Sequence, residues 1–418
     1  MSSLIPISET IISNNTGLDA ITRAPIVDYE TKVRCLRIQN VSHDEPFEMW
    51  GYTEVSEQNY KNFQLQKDDI IISRTGGSIG TLMYIDKDYK SVYNNGLICL
   101  KIDKERYNPR YIYYCLKLDG FKKHIQKCSL GNSTQENIRM NDMLEYMIPD
   151  IKLTIQNQIV EILKDLDDKI QNNNAINVEL ESMAKTIYDY WFLQFEFPNE
   201  DGKPYKSSGG KMVWNEELKR EIPEGWEAGN LYDIADFING LACQKFRPTD
   251  DKKLPVVKIT EMHDGITDNT EYVREDIPEK NIIDDGDILF SWSATLETMI
   301  WTGGKAGLNQ HIFKVVPKME AKYYVFMQLS AYIINFIQMA EARKTTMGHI
   351  TTEHLKQSRI ANPPVNICNS FNKEVEMLYK KIISNDEQNK ELASLRDFLL
   401  PMLMNGQISI KRGQKSAN

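Results

Sequence analysis

The sequence predicts an α+β chain of two similar α/β domains, separated and joined by two long helices in an antiparallel coiled coil, built as an internal repeat. Three observations carry this reading. NNNAINVELESMAKTIYDYWF (172–192) is echoed by SNDEQNKELASLRDFLLPMLMNGQI (384–408), so that Asn177, Glu179, Leu180 and Ser182 match Asn389, Glu391, Leu392 and Ser394 at a constant offset of 212. The same offset pairs Ile138 with Ile350, Ile148 with Ile360 and Lys169 with Lys381. Upstream it drifts: DIIIS (69–73) answers DILFS (287–291) at 218, and CLRIQNV (35–41) answers VVKITEM (256–262) at 221. A locked rear and a drifting front indicate one scaffold with different loops.

Each front part mixes sheet and turn. Runs rich in Ile and Val, such as GLICLKID and QHIFKVV, are bounded by Gly, Asn and Asp and read as strands. Each front part then reaches a helical segment, PRYIYYCLKLDGFKKHIQ or KYYVFMQLSAYIINFIQMA, and a short polar loop, GNSTQENI or RKTTMGHI. The predicted divisions are a first domain at 1–150, a helix at 151–193, a linker at 194–225, a second domain at 226–365, a helix at 366–404 and a tail at 405–418.

Each rear part carries a coiled-coil seam. Ile159, Leu163, Leu166, Ile170, Asn173, Asn177, Leu180, Ala184, Ile187 and Trp191 alternate by four and three. So do Phe371, Val375, Leu378, Ile382, Asn385, Asn389, Leu392, Arg396, Leu399 and Leu403. Asparagine at a seam position costs stability and sets register. An antiparallel pairing in which facing residue numbers sum to 562 puts Asn173 opposite Asn389 and Asn177 opposite Asn385. In that register Leu166 faces Arg396, a poor match.

Composition narrows the function classes. The sequence has 418 residues, enough for two or three domains, and no apolar run of the roughly 18 residues a membrane span needs. No signal peptide is read, and cytoplasm is the expected location. The six cysteines are scattered without a CxxC pair, which suits buried thiols in a reducing compartment rather than zinc. Net charge is −9, yet residues 101–139 carry nine Lys/Arg against four Asp/Glu, and the matching window 313–351 carries five against two. Basic surface at the same place in both halves points to nucleic acid.

The ordered set YWFLQFEFP (190–198), EIPEGWE (221–227) and SLRDFLLPMLMNGQI (394–408), in the order domain, helix, domain, helix, resembles the specificity subunits of type I restriction–modification systems. The first domain departs from the pattern, lacking a counterpart of EIPEGWE. The resemblance implies a non-catalytic chain whose domains are target recognition domains, each reading one half of a bipartite duplex DNA target. It implies that the helices act as spacer and dock two modification (methyltransferase) subunits, joined by motor-endonuclease subunits in the larger complex. It also implies no cofactor in this chain, with S-adenosylmethionine, Mg2+ and ATP on partner subunits. A second reading is a coiled-coil adaptor with paired protein-binding domains.

Apparent catalytic motifs fail on their context. NPPV (362–365) lacks the aromatic residue of the amino-methyltransferase motif it resembles, and no glycine-rich cofactor loop precedes it. Asp150 with Asp167, Asp168 and Lys169 imitates a nuclease, but the last three sit beside seam residues Leu166 and Ile170 and read as a solvated helix face. RTGGSIG (74–80) reads as a tight turn rather than a nucleotide loop.

Candidate DNA contacts fall in loops repeated in both halves. One set is Arg74, Thr75 and Ser78, matched by Trp292, Ser293 and Thr295. The other is Ser133, Thr134, Gln135 and Asn137, matched by Arg343, Lys344, Thr345, Thr346 and His349. Lys122, Lys123 and Lys127 are candidate phosphate contacts on a helix.

Overall fold

The computed structural model describes residues 3–129, 138–267, 269–342 and 349–408. The chain divides into two compact units, Met1–Lys169 with Leu392–Asn418, and Ile170–Glu391.

The first unit is organised around the strand Ile70–Ser73. Its three isoleucines are fully buried because both faces are covered, which is why a continuous apolar run forms a strand here. Ile70 and Ile72 enter one core with Leu100, Tyr111, Cys115 and Phe121, while Ile71 enters another with Leu36, Trp50 and Leu97. The strand is central in an antiparallel sheet ordered Ile11–Thr16, Leu97–Ile102, Ile70–Ser73, Leu82–Tyr84. A second sheet holds Ile26–Val27, Gly51–Thr53, Arg34–Leu36 and Ser91–Tyr93, the last two parallel. Ser3–Pro6 pairs with Met147–Asp150, the strand that leads into the first long helix.

The second unit repeats the plan. Ile288–Ser291 takes the central place in a sheet ordered Ala235–Asn239, Ile312–Pro317, Ile288–Ser291, Glu297–Ile300. Ile288 and Phe290 enter one core and Leu289 another, so alternation again divides a strand between two clusters. The second sheet contains the parallel pair Lys253–Val257 and Ala306–Leu308. Glu227–Gly229 pairs with Ile360–Asn362 as Ser3–Pro6 pairs with Met147–Asp150, so the first domain has a counterpart of this strand although it lacks one of EIPEGWE.

The domain helices differ. The first domain breaks its helical segment into Pro109–Leu116 and Asp119–Ser129, whereas the second runs unbroken over Lys322–Ala342. The break falls at Lys117 and Leu118, immediately before Asp119 and Gly120, where the second half has Ala331 and Tyr332. Aspartate and glycine are weak helix formers, while alanine is the best.

Gly17 and Gly240 mark a close backbone approach that both units need. A Cβ would lie 2.3 Å from the Asn94 carbonyl oxygen at the first and 2.1 Å from that of Asn309 at the second. Gly17→Ala and Gly240→Ala are each expected to cost about 1–3 kcal/mol, read as a shift in the denaturation midpoint.

The first long helix spans Leu153–Tyr188 and the second Val365–Met404. They run antiparallel in each unit. In the second unit Asn173 donates to Asn389 Oδ1 at 2.9 Å and Asn385 donates to Asn177 Oδ1 at 2.7 Å, pairs whose residue numbers sum to 562. Asn173 and Asn385 are each only 1% exposed, so these amides replace water with one another. Asn177 also donates to Asp386 Oδ1 at 2.7 Å.

In the first unit the seam departs from expectation at Arg396. Its guanidinium reaches past Leu166 to Asp167, with Nη1 3.0 Å from Oδ1. Asp167 also accepts from the Tyr114 hydroxyl at 2.6 Å and lies 3.9 Å from Arg110 Nη2. Its side chain is 12% exposed, so Asp167 does not belong to the solvated helix face, unlike Asp168, which pairs with the exposed Lys164. A long flexible cation at a seam position can find a carboxylate one residue off the opposing seam, which repairs the poor Leu166–Arg396 match.

Burial raises the pKa of Asp386, and burial together with Asp386 raises that of Glu181. The folded protein therefore holds these protons more tightly than the unfolded one. The stability this contributes is present below the ordinary carboxylate range and lost as pH rises through the raised pKa values. Asp386→Asn, which keeps an acceptor for Asn177, is expected to raise the melting temperature, with a gain that grows as pH rises above the ordinary carboxylate range.

Candidate nucleic-acid interface

Four separated segments meet at one end of the large sheet in each unit. In the first, the N–H of Gly17 donates to the Leu97 carbonyl at 3.1 Å, that of Arg74 to Gly96 at 2.9 Å, and that of Ile138 to Arg74 at 3.1 Å. In the second, Gly240 donates to Ile312 at 3.1 Å, Trp292 to His311 at 3.3 Å, and Ile350 to Trp292 at 3.0 Å. The backbone frames correspond bond for bond. They make Thr16 equivalent to Asn239, Arg74 to Trp292, Asn95 to Gln310 and Gly96 to His311.

The side chains on these frames differ. In the first unit Arg74 Nη1 donates to Thr16 Oγ1 at 3.3 Å. In the second, Trp292 Nε1 donates to Asn239 Oδ1 at 3.2 Å from the equivalent place. The Trp292 ring lies 5.6 Å from that of His311 and 5.5 Å, edge-on, from that of His349. Gln310 Nε2 is 3.4 Å from His311 Nε2.

The sequence-derived candidates fall as follows. Arg74, Thr75 and Ser78 are half-buried in the turn between Ile70–Ser73 and Leu82–Tyr84, with Gly76 and Gly77 exposed at its tip. The turn closes through Gly80 N–H to the Ser73 carbonyl at 2.8 Å, and Gly76 takes φ 78°, which glycine tolerates. Trp292 is half-buried and Thr295 exposed, whereas Ser293 is 6% exposed and offers its carbonyl to the Ser291 hydroxyl at 3.2 Å. Lys122, Lys123 and Lys127 are exposed on Asp119–Ser129, whose other face buries Phe121 and Ile125. Gly80 lies against Ile125, where an added Cβ would be 3.0 Å from Cγ2, so the Arg74 turn and the lysine helix are neighbours. Ser133, Thr134, Gln135, Asn137, Arg343, Lys344, Thr345 and Thr346 lie outside the described residues. His349 is exposed beside Trp292.

Sequence reasoning does not single out Thr16, Asn95, Asn239, Gln310 or His311. They flank strands that read as core, and only strand pairing brings them to Arg74 or Trp292. The repeated glycine before each long offset, Gly17 and Gly240, is the available signal.

Apparent catalytic positions have structural partners. Asn362 ends a strand and is followed by Pro363 and Pro364, whose carbonyl accepts from the Ile367 N–H at 3.0 Å as the second long helix begins. Among the described residues no group of three His, Cys, Asp or Glu side chains could hold a metal ion, and no helix is long and apolar enough to cross a membrane.

A duplicated sheet-and-helix domain, each copy packed on antiparallel helices, with one loop frame bearing two sets of polar side chains, defines a protein with two equivalent recognition domains. The family model for the type I restriction modification DNA specificity domain matches residues 32–182 and 223–393, more than three quarters of the chain. The chain belongs to that family, as a non-catalytic DNA sequence-recognition subunit. It is 27% identical over 320 residues to the type I restriction enzyme MjaIX specificity subunit of Methanocaldococcus jannaschii, covering 74% of this chain and 71% of that one. It is 24% identical over 406 residues to the HindI specificity subunit of Haemophilus influenzae, covering 82% and 87%. The crystal structure of a type I restriction-modification system S subunit from M. genitalium has the same fold, with TM-score 0.54 and 15% identity over 98% of this chain and 97% of that one.

Proposed function

We propose that each domain reads one half of a bipartite duplex DNA target, and that the paired helices set the spacing of the halves and dock modification subunits. S-adenosylmethionine, Mg2+ and ATP would then be used by partner methyltransferase and motor-endonuclease subunits rather than by this chain. The observation that supports this best is the shared backbone frame with different side chains. Arg74, Thr16 and Asn95 in one domain, and Trp292, Asn239, Gln310 and His311 in the other, are donors and acceptors suited to base edges. A frame kept while its polar cargo changes is what two readers of two sequences require. Six free cysteines, five of them buried, support a reducing cytoplasmic location.

The test is the methylated motif in cells carrying the whole system. Arg74→Ala should relax one half-site and Trp292→Ala the other, each costing about 1–3 kcal/mol of discrimination at the affected base pair. Changes in both halves from a single substitution would refute the division of labour. Replacing Lys122, Lys123 and Lys127 together by Gln should weaken binding to all sequences. It should also flatten the dependence of log K on log salt by as much as about 2.7, with the motif unchanged.

A further inference from the structure

The pairing of the four seam asparagines with one another does not distinguish one long helix from the other, although Asn173 also donates to Gln388 at 2.9 Å, whose equivalent in the first helix is Ile176. The internal offset of 212 converts Asn173 into Asn385 and Asn177 into Asn389. A first helix facing the first helix of a second copy, in the same register, would set Asn173 opposite Asn177. Two second helices would set Asn385 opposite Asn389. Both arrangements match amide to amide, as the observed pairs do.

A charged contact breaks the symmetry further. Asp167 and Arg396 pair at 3.0 Å with side chains 12% and 19% exposed. The offset of 212 makes Tyr379 the equivalent of Asp167 and Ala184 the equivalent of Arg396. In the second unit Tyr379 is 4% exposed and stacks on Tyr323 at 4.5 Å with ring planes 7° apart. Its hydroxyl meets the Met327 sulfur at 3.0 Å, and Ala184 is fully buried in the same core. Equivalent places are thus filled by an ion pair in one unit and by an aromatic stack with a small residue in the other. Like-with-like pairing would set Asp167 against Ala184 and Arg396 against Tyr379. Each would take from a mostly buried charge its partner across the helix pair, leaving Asp167 the Arg110 guanidinium at 3.9 Å and Arg396 the exposed Asp397, a costly arrangement.

We propose that Asp167 and Arg396 are the contact by which the first long helix selects the second helix of its own polypeptide over a second copy of the protein. The surface around Asp167 fits a helix that brings a cation, and only the second helix brings one at that position. The consequence is that each helix pair is made of a first helix with a second helix, rather than of two like helices. This selection does not depend on what the domains bind, and its test is independent of DNA.

The test uses two full-length variants with reversed charges. The first-helix variant carries Asp167→Arg with Arg110→Gln, which removes the second cation 3.9 Å away. The second-helix variant carries Arg396→Glu. Each is mismatched within itself, but the two are complementary. The altered first helix of one matches the altered second helix of the other, and the two unaltered helices match as in the natural protein. Co-expressed with different tags, the two variants should co-purify at twice 48.4 kDa. Their yield should be at least about tenfold above that of two tagged wild-type copies, since two buried mismatches outweigh the millimolar local concentration of the tethered helix. A protein carrying all three substitutions should return to a monomer. Folded variants that remain separate would overturn the proposal. So would exchange between wild-type copies at the same level, or failure of the triple variant to fold, which would show that position 167 requires something other than complementarity.

Discussion

Phe371→Ala is expected to lower stability by about 3–5 kcal/mol, the range for emptying a fully buried aromatic site. Phe371 is completely buried, on the second long helix, where three elements of the second unit meet. It packs edge-on against Phe192 at 5.0 Å, Trp191 at 5.8 Å and Tyr188 at 6.1 Å, and Phe192 in turn lies 4.9 Å from Tyr324 of the domain helix. Such edge-to-face pairs add about 0.5–1.5 kcal/mol each beyond buried area. Large neighbours on several sides cannot collapse into the space, so the upper part of the range is expected. In a unit of this size the melting temperature should fall by roughly 10 °C. Phe371→Leu keeps most of the volume and should cost about 1–1.5 kcal/mol. If the two substitutions cost the same, the aromatic cluster would not be what joins helix to domain.

The features legible in the sequence are those written with a short period. Alternation by four and three announces both long helices, and the asparagine spacing fixes a register in which Asn173 bonds to Asn389. DIIIS and DILFS are readable as equivalent strands because burial on both faces demands an unbroken apolar run. Features assembled across long separations are not legible. The frame around Arg74 draws on residues 16, 74, 96 and 138, and nothing local marks Thr16 or Asn95 as its neighbours. In the second domain Asn239 and His311 approach Trp292 only because the strands Ala235–Asn239, Ile312–Pro317 and Ile288–Ser291 lie side by side. The charge pattern of the helices misleads for a related reason. A heptad assignment treats Asp167 as a flanking, solvated position, but a helix packed on a domain has a third face, and here Tyr114 and Arg110 occupy it.

Removing one member of that buried group gives the second large expected effect. Arg396→Ala leaves Asp167 with the Tyr114 hydroxyl and the long Arg110 contact, but without its 3.0 Å partner. The expected loss is about 2–4 kcal/mol, toward the lower end of the range for breaking a buried pair because two donors remain. Asp167→Ala should cost less, about 1–3 kcal/mol, since Arg396 keeps Asp397 at 2.8 Å and that carboxylate is exposed to water. Replacing both by leucine, alongside Arg110→Gln so that no mostly buried cation is stranded, removes the charges together with their desolvation cost and should fall near the midpoint of the Arg110→Gln protein. The three variants thus separate two explanations. If the pair held the fold by attraction alone, the double leucine variant would lose the most relative to its parent. If its role is to match helix to helix, each single variant loses more than the double, because a lone buried charge costs more than an apolar contact. Chemical denaturation of the wild type, the Arg110→Gln protein and the three variants decides between them. An Arg396→Ala change below about 0.5 kcal/mol would place the contact among screened surface pairs.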